Sequence, residues 1–507
     1  MLSRLKTWWR CLLIDSPIGR RLPFIKRITC GHQAILHRLG DRAIQLPLAD
    51  LHRYSQSLSR IDASTAIDLT YPFPKTPICL PAIRKIKEIR DCELNGDSGL
   101  RRQIELSYLA APLQKEEELL VCPGSTGALL TILDTLVRPG DKVIVFDPCS
   151  PIYPLILQHR QAKVIRVPCQ LQEGKLQIDA SRLRKAMRQA KILLFSDPNN
   201  PLGASYSPEI LEQIAYFAAK QDLLILYDRT FAINGEQKGA FELSALPHTR
   251  NRLCTIDSMS YRYGLPHLRI GWLRAPASLI RAASLTQIMN AGFVSTYTQQ
   301  LGEEVIQKNP HGIINLHRII QERKMLVQKH LKAIDLPVEI GDAGPFIWCP
   351  LQKKGVTGTE LSNALAHRFE LLVQAGEPFG TNGNDYFRIA LGTDDSRLSK
   401  GLTIITDYLA SCNASKEDQK NLSPDKAIKK HHYGHYASTP KETTKETTKE
   451  EPLGLGVTLE ATLGPKNNIS ESHQKVASNP PQSATSPHRS RSSSSAATLA
   501  ENATSNL

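Results

Sequence analysis

No stretch of this 507-residue chain approaches the roughly 20 consecutive apolar residues that cross a bilayer as a helix, so no membrane-spanning helix is expected. No Cys-x-x-Cys pair occurs among the ten cysteines, which stand apart at positions 11, 30, 79, 92, 122, 149, 169, 254, 349 and 412. That spacing argues against a disulfide framework or a zinc ribbon and fits a reducing compartment. A cytoplasmic location and no bound metal are therefore expected. The first residues, Met1-Leu2-Ser3-Arg4-Leu5-Lys6-Thr7-Trp8-Trp9-Arg10, hold no acid before Asp15. Their apolar stretch is short and no Ala-x-Ala-like cleavage site follows, which argues against a secretory signal. No lysine lies between Lys238 and Lys308, so amine chemistry in that region would need a lysine folded in from elsewhere.

What the chain has in excess is positive charge: 63 Lys and Arg against 49 Asp and Glu, a formal net charge of +14. Such a balance favours anionic partners. The basic residues are dense in the first 42 positions and recur towards the C-terminal end, so the charge reads as basic extensions on an ordinary globular core, and no nucleic acid is expected. Residues 1–27 suit a helix lying weakly on a membrane surface. The plainer reading is a helix packed on the core or on a sister subunit.

The length is enough for two or three cores. Residues 1–45 read as a basic extension, 46–311 as a large α/β domain with an N-terminal arm, 312–412 as a smaller α+β domain and 413–507 as a tail. In the large domain, apolar runs at 141–146, 163–167, 191–195, 223–227, 252–256 and 269–273 alternate with helical patterns at 127–136, 181–189 and 207–220. That alternation implies βαβ units and a mostly parallel sheet. The smaller domain opens with a helix near 313–334 and contains strand-like alternation in Phe346-Ile347-Trp348 and Tyr386-Phe387-Arg388-Ile389-Ala390-Leu391. The tail repeats Lys-Glu-Thr-Thr from Lys441 and cannot bury enough apolar area to offset its ordering entropy, so disorder is expected there. His431-His432-Tyr433-Gly434-His435 lies in that tail, where ligands are not pre-arranged, and no metal site is assigned to it.

Several local patterns carry chemistry. Pro123-Gly124-Ser125-Thr126-Gly127-Ala128 sits where a loop opens a helix, and a small-residue turn there aims N–H groups at an anion. Taken alone, Ser125-Thr126 reads equally as a helix cap. Asp197-Pro198-Asn199-Asn200-Pro201-Leu202-Gly203 follows an apolar strand, and by itself it is a strand-ending turn. Asp228 ends the strand at 223–227, where a carboxylate faces the usual ligand crevice of a parallel sheet. Arg388 lies in a strand-like run, and a planar fork is suited to gripping a carboxylate. If Arg269 and Arg388 are both buried, each needs an anionic partner to offset its desolvation.

Ser258-Met259-Ser260-Tyr261-Arg262-Tyr263-Gly264-Leu265-Pro266-His267-Leu268-Arg269-Ile270-Gly271-Trp272 ties these patterns together. It resembles the cofactor-anchoring segment of class I/II aminotransferases of fold type I, Ser-x-Ser-Lys-x-x-Gly-Leu-x-Gly-x-Arg-x-Gly. In that family the lysine binds pyridoxal phosphate as a Schiff base. The resemblance covers residues 60–410 and implies a fold-type-I architecture: a large domain with a mostly parallel sheet, a smaller C-terminal α+β domain, and a homodimer. It implies a phosphate site made by Gly124, Ser125, Thr126, Ser258, Ser260 and Arg269. It also implies contact of Asn200 with the ring hydroxyl, pairing of Asp228 with the pyridinium nitrogen, and a substrate-carboxylate grip at Arg388 for an amino acid or 2-oxo acid.

The resemblance fails at the residue that defines the chemistry. Tyr261 stands at the Schiff-base position, and a phenol forms no imine. Ser150 stands where the family stacks an aromatic on the ring, with Tyr153 nearby. Phe231 replaces a ring-contacting tyrosine. Leu94 falls where many relatives send a tyrosine to the neighbouring subunit's phosphate. Three readings follow: a homologue that binds pyridoxal phosphate non-covalently with transamination lost or altered, an active aminotransferase using another base, or an interaction protein on the same scaffold. A tyrosine's ordinary pKa of about 10 makes Tyr261 a poor base near neutral pH.

Overall fold

The computed structural model describes residues 66–74, 88–107, 119–233, 243–246, 248–249, 251–351 and 354–421, with side chains of the last helix described to Cys412. The N-terminal extension, the Lys-Glu-Thr-Thr repeat and the histidines at 431–435 lie outside the described residues. In chain order the strands are β1 (Ile67–Asp68), β2 (Leu119–Pro123), β3 (Lys142–Asp147), β4 (Lys163–Gln172), β5 (Lys175–Ile178), β6 (Ile192–Ser196), β7 (Leu224–Asp228), β8 (Leu253–Ser258), β9 (Ile270–Arg274), β10 (Phe346–Pro350), β11 (Leu371–Leu372), β12 (Gln374–Ala375) and β13 (Tyr386–Ala390).

The central strands are apolar on both faces because helices cover both faces. Val143 and Val145 of β3 point into one core cluster, while Ile144 and Phe146 point into the other. Ile192 and Leu194 of β6 alternate in the same way with Leu193 and Phe195. The resulting eight-stranded sheet has the order β2-β9-β8-β7-β6-β3-β4-β5. From β4 across to β8 the strands are parallel, whereas β9 runs antiparallel to β2 and β8, and β5 antiparallel to β4. The expected mostly parallel sheet is therefore present, with antiparallel margins. The chain leaves β3 for β4 on one side and returns to β6 on the other. The carboxyl ends of β3 and β6 accordingly flank a crevice, where ligands of open α/β sheets bind.

The smaller domain is built on the antiparallel sheet β10-β13-β12 and the helices Leu316–Lys332, Gly358–Phe369 and Asp395–Asn421. The last helix continues past Cys412, where composition alone places the domain's end. β1 pairs in parallel with β11, Ile67 opposite Leu371. Ile67 and Leu69 thereby pack in the same cluster as Leu361, Phe387 and Leu402. Residues 67–69, read from sequence as part of the large domain's arm, thus complete the core of the smaller one.

Candidate active site

The helix Gly124–Leu136 begins directly at the end of β2, with no side-chain hydrogen bond capping its start. Its first-turn N–H groups lack intrahelical partners and carry the positive end of the helix dipole. Gly124 has φ +75°, and a Cβ there would lie 2.3 Å from Nη2 of Arg269. Only glycine tolerates both demands. Arg269 itself is left-handed at φ 54°, ψ 39°. Its Nη1 donates to the Pro266 carbonyl at 3.1 Å and its Nη2 to the Pro123 carbonyl at 3.2 Å. The guanidinium is therefore fixed at the mouth of the helix. It is exposed rather than buried, which corrects the expectation of two buried arginines. It starts no strand either: β9 begins one residue later, because a left-handed residue cannot join the ladder.

Ser258 closes β8 opposite Gly271, and Gly271 in turn pairs with Cys122 of β2. This register sets Ser258 level with the helix start, two strands away. Ser258 is fully buried, and its Oγ accepts from the Ser260 N–H at 3.3 Å. Ser260 is also buried, Ser125 is half-buried and Thr126 exposed.

Asp228 ends β7 opposite Ser196 of β6. Its Oδ1 accepts from the Thr230 N–H at 3.0 Å and the Thr230 hydroxyl at 2.6 Å, and its Oδ2 from the Tyr153 hydroxyl at 2.7 Å. Burial pushes this carboxyl above the usual range, and these donors only partly counter it. Burial, together with the neighbouring Asp228, raises the Tyr153 phenol well above its ordinary value. Tyr153 thus meets Asp228 with its hydroxyl, a role invisible in the sequence, where it was only an aromatic near Ser150.

Asn200 sits in the turn after β6, and its N–H donates to the Ser196 hydroxyl at 3.2 Å. Its Oδ1 accepts from Nη1 of Arg388 at 3.0 Å. Arg388, on β13, also donates through Nη2 to the Thr70 carbonyl at 2.9 Å. Its guanidinium lies over two rings, 4.6 Å from the Phe346 centroid and 5.1 Å from that of Phe379. The fork is thereby oriented by the large-domain turn, by the 66–74 segment and by two aromatic faces. Phe346, Phe379 and Thr70 are site residues that sequence reasoning missed.

Tyr261 belongs to the four-residue helix Met259–Arg262 and is fully buried. Met259 and Tyr263 turn into the cluster beneath β9, whereas Tyr261 packs into the small-domain cluster. Its ring meets Phe231 edge-on at 5.7 Å, and Phe231 meets Phe346 at 4.7 Å. A chain of aromatic contacts thus leads from Tyr261 to the ring under Arg388. Ser150 is half-buried near the end of β3, and Leu94 is 49% exposed. Among the described residues no group of His, Cys, Asp and Glu is arranged to hold a metal, and no helix is long and apolar enough to cross a membrane.

A mixed α/β sheet with helices on both faces and a smaller α+β domain supplying an arginine to the crevice is the fold-type-I architecture. The N-succinyldiaminopimelate aminotransferase of Mycobacterium tuberculosis shares it, with a TM-score of 0.65 at 21% identity over 73% of this chain and 100% of that one. An aspartate aminotransferase of Rhodobacter sphaeroides gives 0.62 at 19% identity over 71% and 99%. A model of the family aminotransferase class I and II matches residues 71–405, and the chain belongs to that family. The LL-diaminopimelate aminotransferase of Gloeobacter violaceus is 25% identical over 291 residues, 57% of this chain and 74% of the relative. The L-glutamine–4-(methylsulfanyl)-2-oxobutanoate aminotransferase of Bacillus subtilis is 26% identical over 348 residues, 66% and 86% of the two. Members of this family use pyridoxal phosphate.

Proposed function

We propose that this aminotransferase homologue binds pyridoxal phosphate, or a related phosphorylated pyridine, non-covalently, and that its transamination is lost or altered. One contrast supports the reading above all. Arg388 and Asn200 are bonded to each other at the crevice, while position 261 offers a core-packed phenol instead of an amine. The donor set fits such a ligand. The first-turn N–H groups of the helix Gly124–Leu136 and the Arg269 guanidinium would receive the phosphate, with Ser258, level with the helix start, and Ser260 as further hydroxyl donors. Asn200 has its Oδ1 committed to Arg388, so its NH₂ is the group left to donate to a ring oxygen. Asp228 keeps lone pairs beyond those taken by Thr230 and Tyr153 and accepts from a pyridine N–H.

When bound, the cofactor supplies an electron sink for bond breaking at a substrate α-carbon. This chain's own residues bind and orient: Arg388 holds the α-carboxylate of an amino acid or 2-oxo acid, and Phe346 and Phe379 lie against its planar guanidinium and shield it from water. No lysine amine follows the ring within the segment, so the proton shuttle usual to the family is missing from it. A second copy of the chain is the proposed partner. Leu285 and Met289 on the helix Ala277–Ala291, Phe293 in the connection after it and Tyr297 at the start of the next helix expose 62%, 79%, 48% and 44% of their surface, large apolar side chains suited to burial against that copy.

Visible absorption of the purified protein after adding pyridoxal phosphate and dialysing tests the binding. The expected result is a ligand that binds and then washes out. A transamination assay across amino acids tests the chemistry, and ordinary turnover would favour an alternative base.

A further inference from the structure

The helix Leu316–Lys332 carries a lysine on its apolar stripe. Ile320, Val327 and Leu331 face the small-domain core, and Lys324, in register with them, is 0% exposed. Among the described residues its ammonium meets no carboxylate within ion-pair distance. Instead Nζ donates to three backbone carbonyls, Gly203 at 2.9 Å, Gly341 at 2.8 Å and Ala343 at 2.8 Å. An ammonium has three N–H donors, so all are used. Desolvation lowers this lysine to about 7, with Asp342 the neighbouring charge that counters it. A methionine of similar length would avoid this desolvation, so the ammonium is a costly choice for a core position.

What it joins is informative. Gly203 closes the turn that begins at Asn199: its N–H donates to the Asn199 carbonyl at 2.9 Å, and the Leu202 N–H donates to Asn199 Oδ1 at 3.1 Å. Asn200, inside this turn, orients Arg388. The Gly203 carbonyl also accepts the Ala343 N–H at 3.0 Å, and a Cβ on Gly341 would lie 2.3 Å from it. Two loops are thus drawn together around one ammonium, one from the large domain and one preceding β10 of the small domain.

We infer that Lys324 is a positioning residue for the carboxylate grip: by clamping the 199–203 turn to the 341–343 loop it sets where Asn200 Oδ1 stands and hence the plane of the Arg388 fork. This rests on the reading that Arg388 grips a substrate carboxylate. Lys324 touches no ligand and acts only through the turn.

The test compares wild type, Lys324→Met and Lys324→Arg in two measurements. The first is amide hydrogen exchange over residues 197–206 in the full-length protein without ligand. The second is calorimetric affinity for pyridoxal phosphate and for N-(5′-phosphopyridoxyl)-alanine, which adds an α-carboxylate. Expected for Lys324→Met are faster exchange at 197–206, with the bonded Ala343 amide loosening alongside, and loss of the conjugate's advantage over pyridoxal phosphate, an advantage of about tenfold in wild type. Lys324→Arg, which keeps charge and donors, restores both. Unchanged exchange together with an unchanged affinity ratio overturns the inference. If Lys324→Met does not fold, Lys324→Gln, with two N–H donors, takes its place under the same criteria. If wild type binds neither probe, the functional reading fails on its own, and exchange alone decides for or against the clamp.

Discussion

The two arginines at the ends of the crevice are held in opposite ways. Arg388 is 7% exposed, bonded to Asn200 and to the Thr70 carbonyl, and in contact with the faces of Phe346 and Phe379. Its position is specified by the chain itself. Arg269 is exposed and held by two carbonyls at the start of a helix. The end proposed to grip a carboxylate is therefore preassembled, while the end proposed to take the phosphate is open at the Arg269 guanidinium. A side chain built into the fold contributes to stability as well as to binding. One poised at a mouth contributes to binding alone.

Arg388→Ala breaks that comparison hardest. It leaves Asn200 Oδ1 and the Thr70 carbonyl without their donor and empties the space beside two rings, so unfolding free energy should fall by about 3 kcal/mol in urea melts. Affinity for a carboxylate-bearing conjugate should fall with it. Arg269→Ala is expected to separate the two properties. Affinity for pyridoxal phosphate should drop by roughly ten- to a hundredfold in calorimetry, while stability changes by less than about 1 kcal/mol. A comparable stability loss in both variants would contradict the distinction between a built-in and a poised arginine.

Asp228→Asn gives a smaller, pH-dependent effect. Burial holds the Asp228 carboxyl above its unfolded value of about 3.9. As pH rises, the unfolded chain releases this proton first, so between the unfolded and folded pKa values the native state loses stability relative to the unfolded one. Asparagine removes that loss. The variant should therefore gain stability over wild type as pH climbs through this window and keep the gain above it, while its affinity for pyridoxal phosphate falls. A stability difference independent of pH would show that Asp228 titrates alike in both states.

The sequence made the sheet legible because its central strands are uninterrupted apolar runs. Its boundaries were drawn short at one end. β3, β6, β7 and β8 continue into Asp147, Ser196, Asp228 and Ser258, polar residues at the carboxyl ends that still pair with the neighbouring strand, so an apolar run stops short of the ladder. β5 went unseen because it returns from β4 through Glu173 and Gly174, both at positive φ, a tight hairpin without the usual Asn-Gly signal. β1 and β11 are too short to show a period. In the candidate site, Asn200, Asp228 and Arg388 are the residues that motif order singles out. The partners that orient them were not: Tyr153, Thr70 and Phe379 come from distant segments, and Lys324 reads as solvent-facing until its place on the apolar stripe Ile320, Lys324, Val327, Leu331 is noticed.

The central claim, that the crevice binds its cofactor without covalent attachment, is tested most directly by borohydride reduction with pyridoxal phosphate followed by peptide mass spectrometry. Wild type should show saturable binding that dialysis reverses, with no pyridoxyl label, whereas Tyr261→Lys should gain a label at position 261. A stoichiometric pyridoxyl label on any lysine of the wild-type chain would contradict the account, because it would supply the amine that Tyr261 lacks.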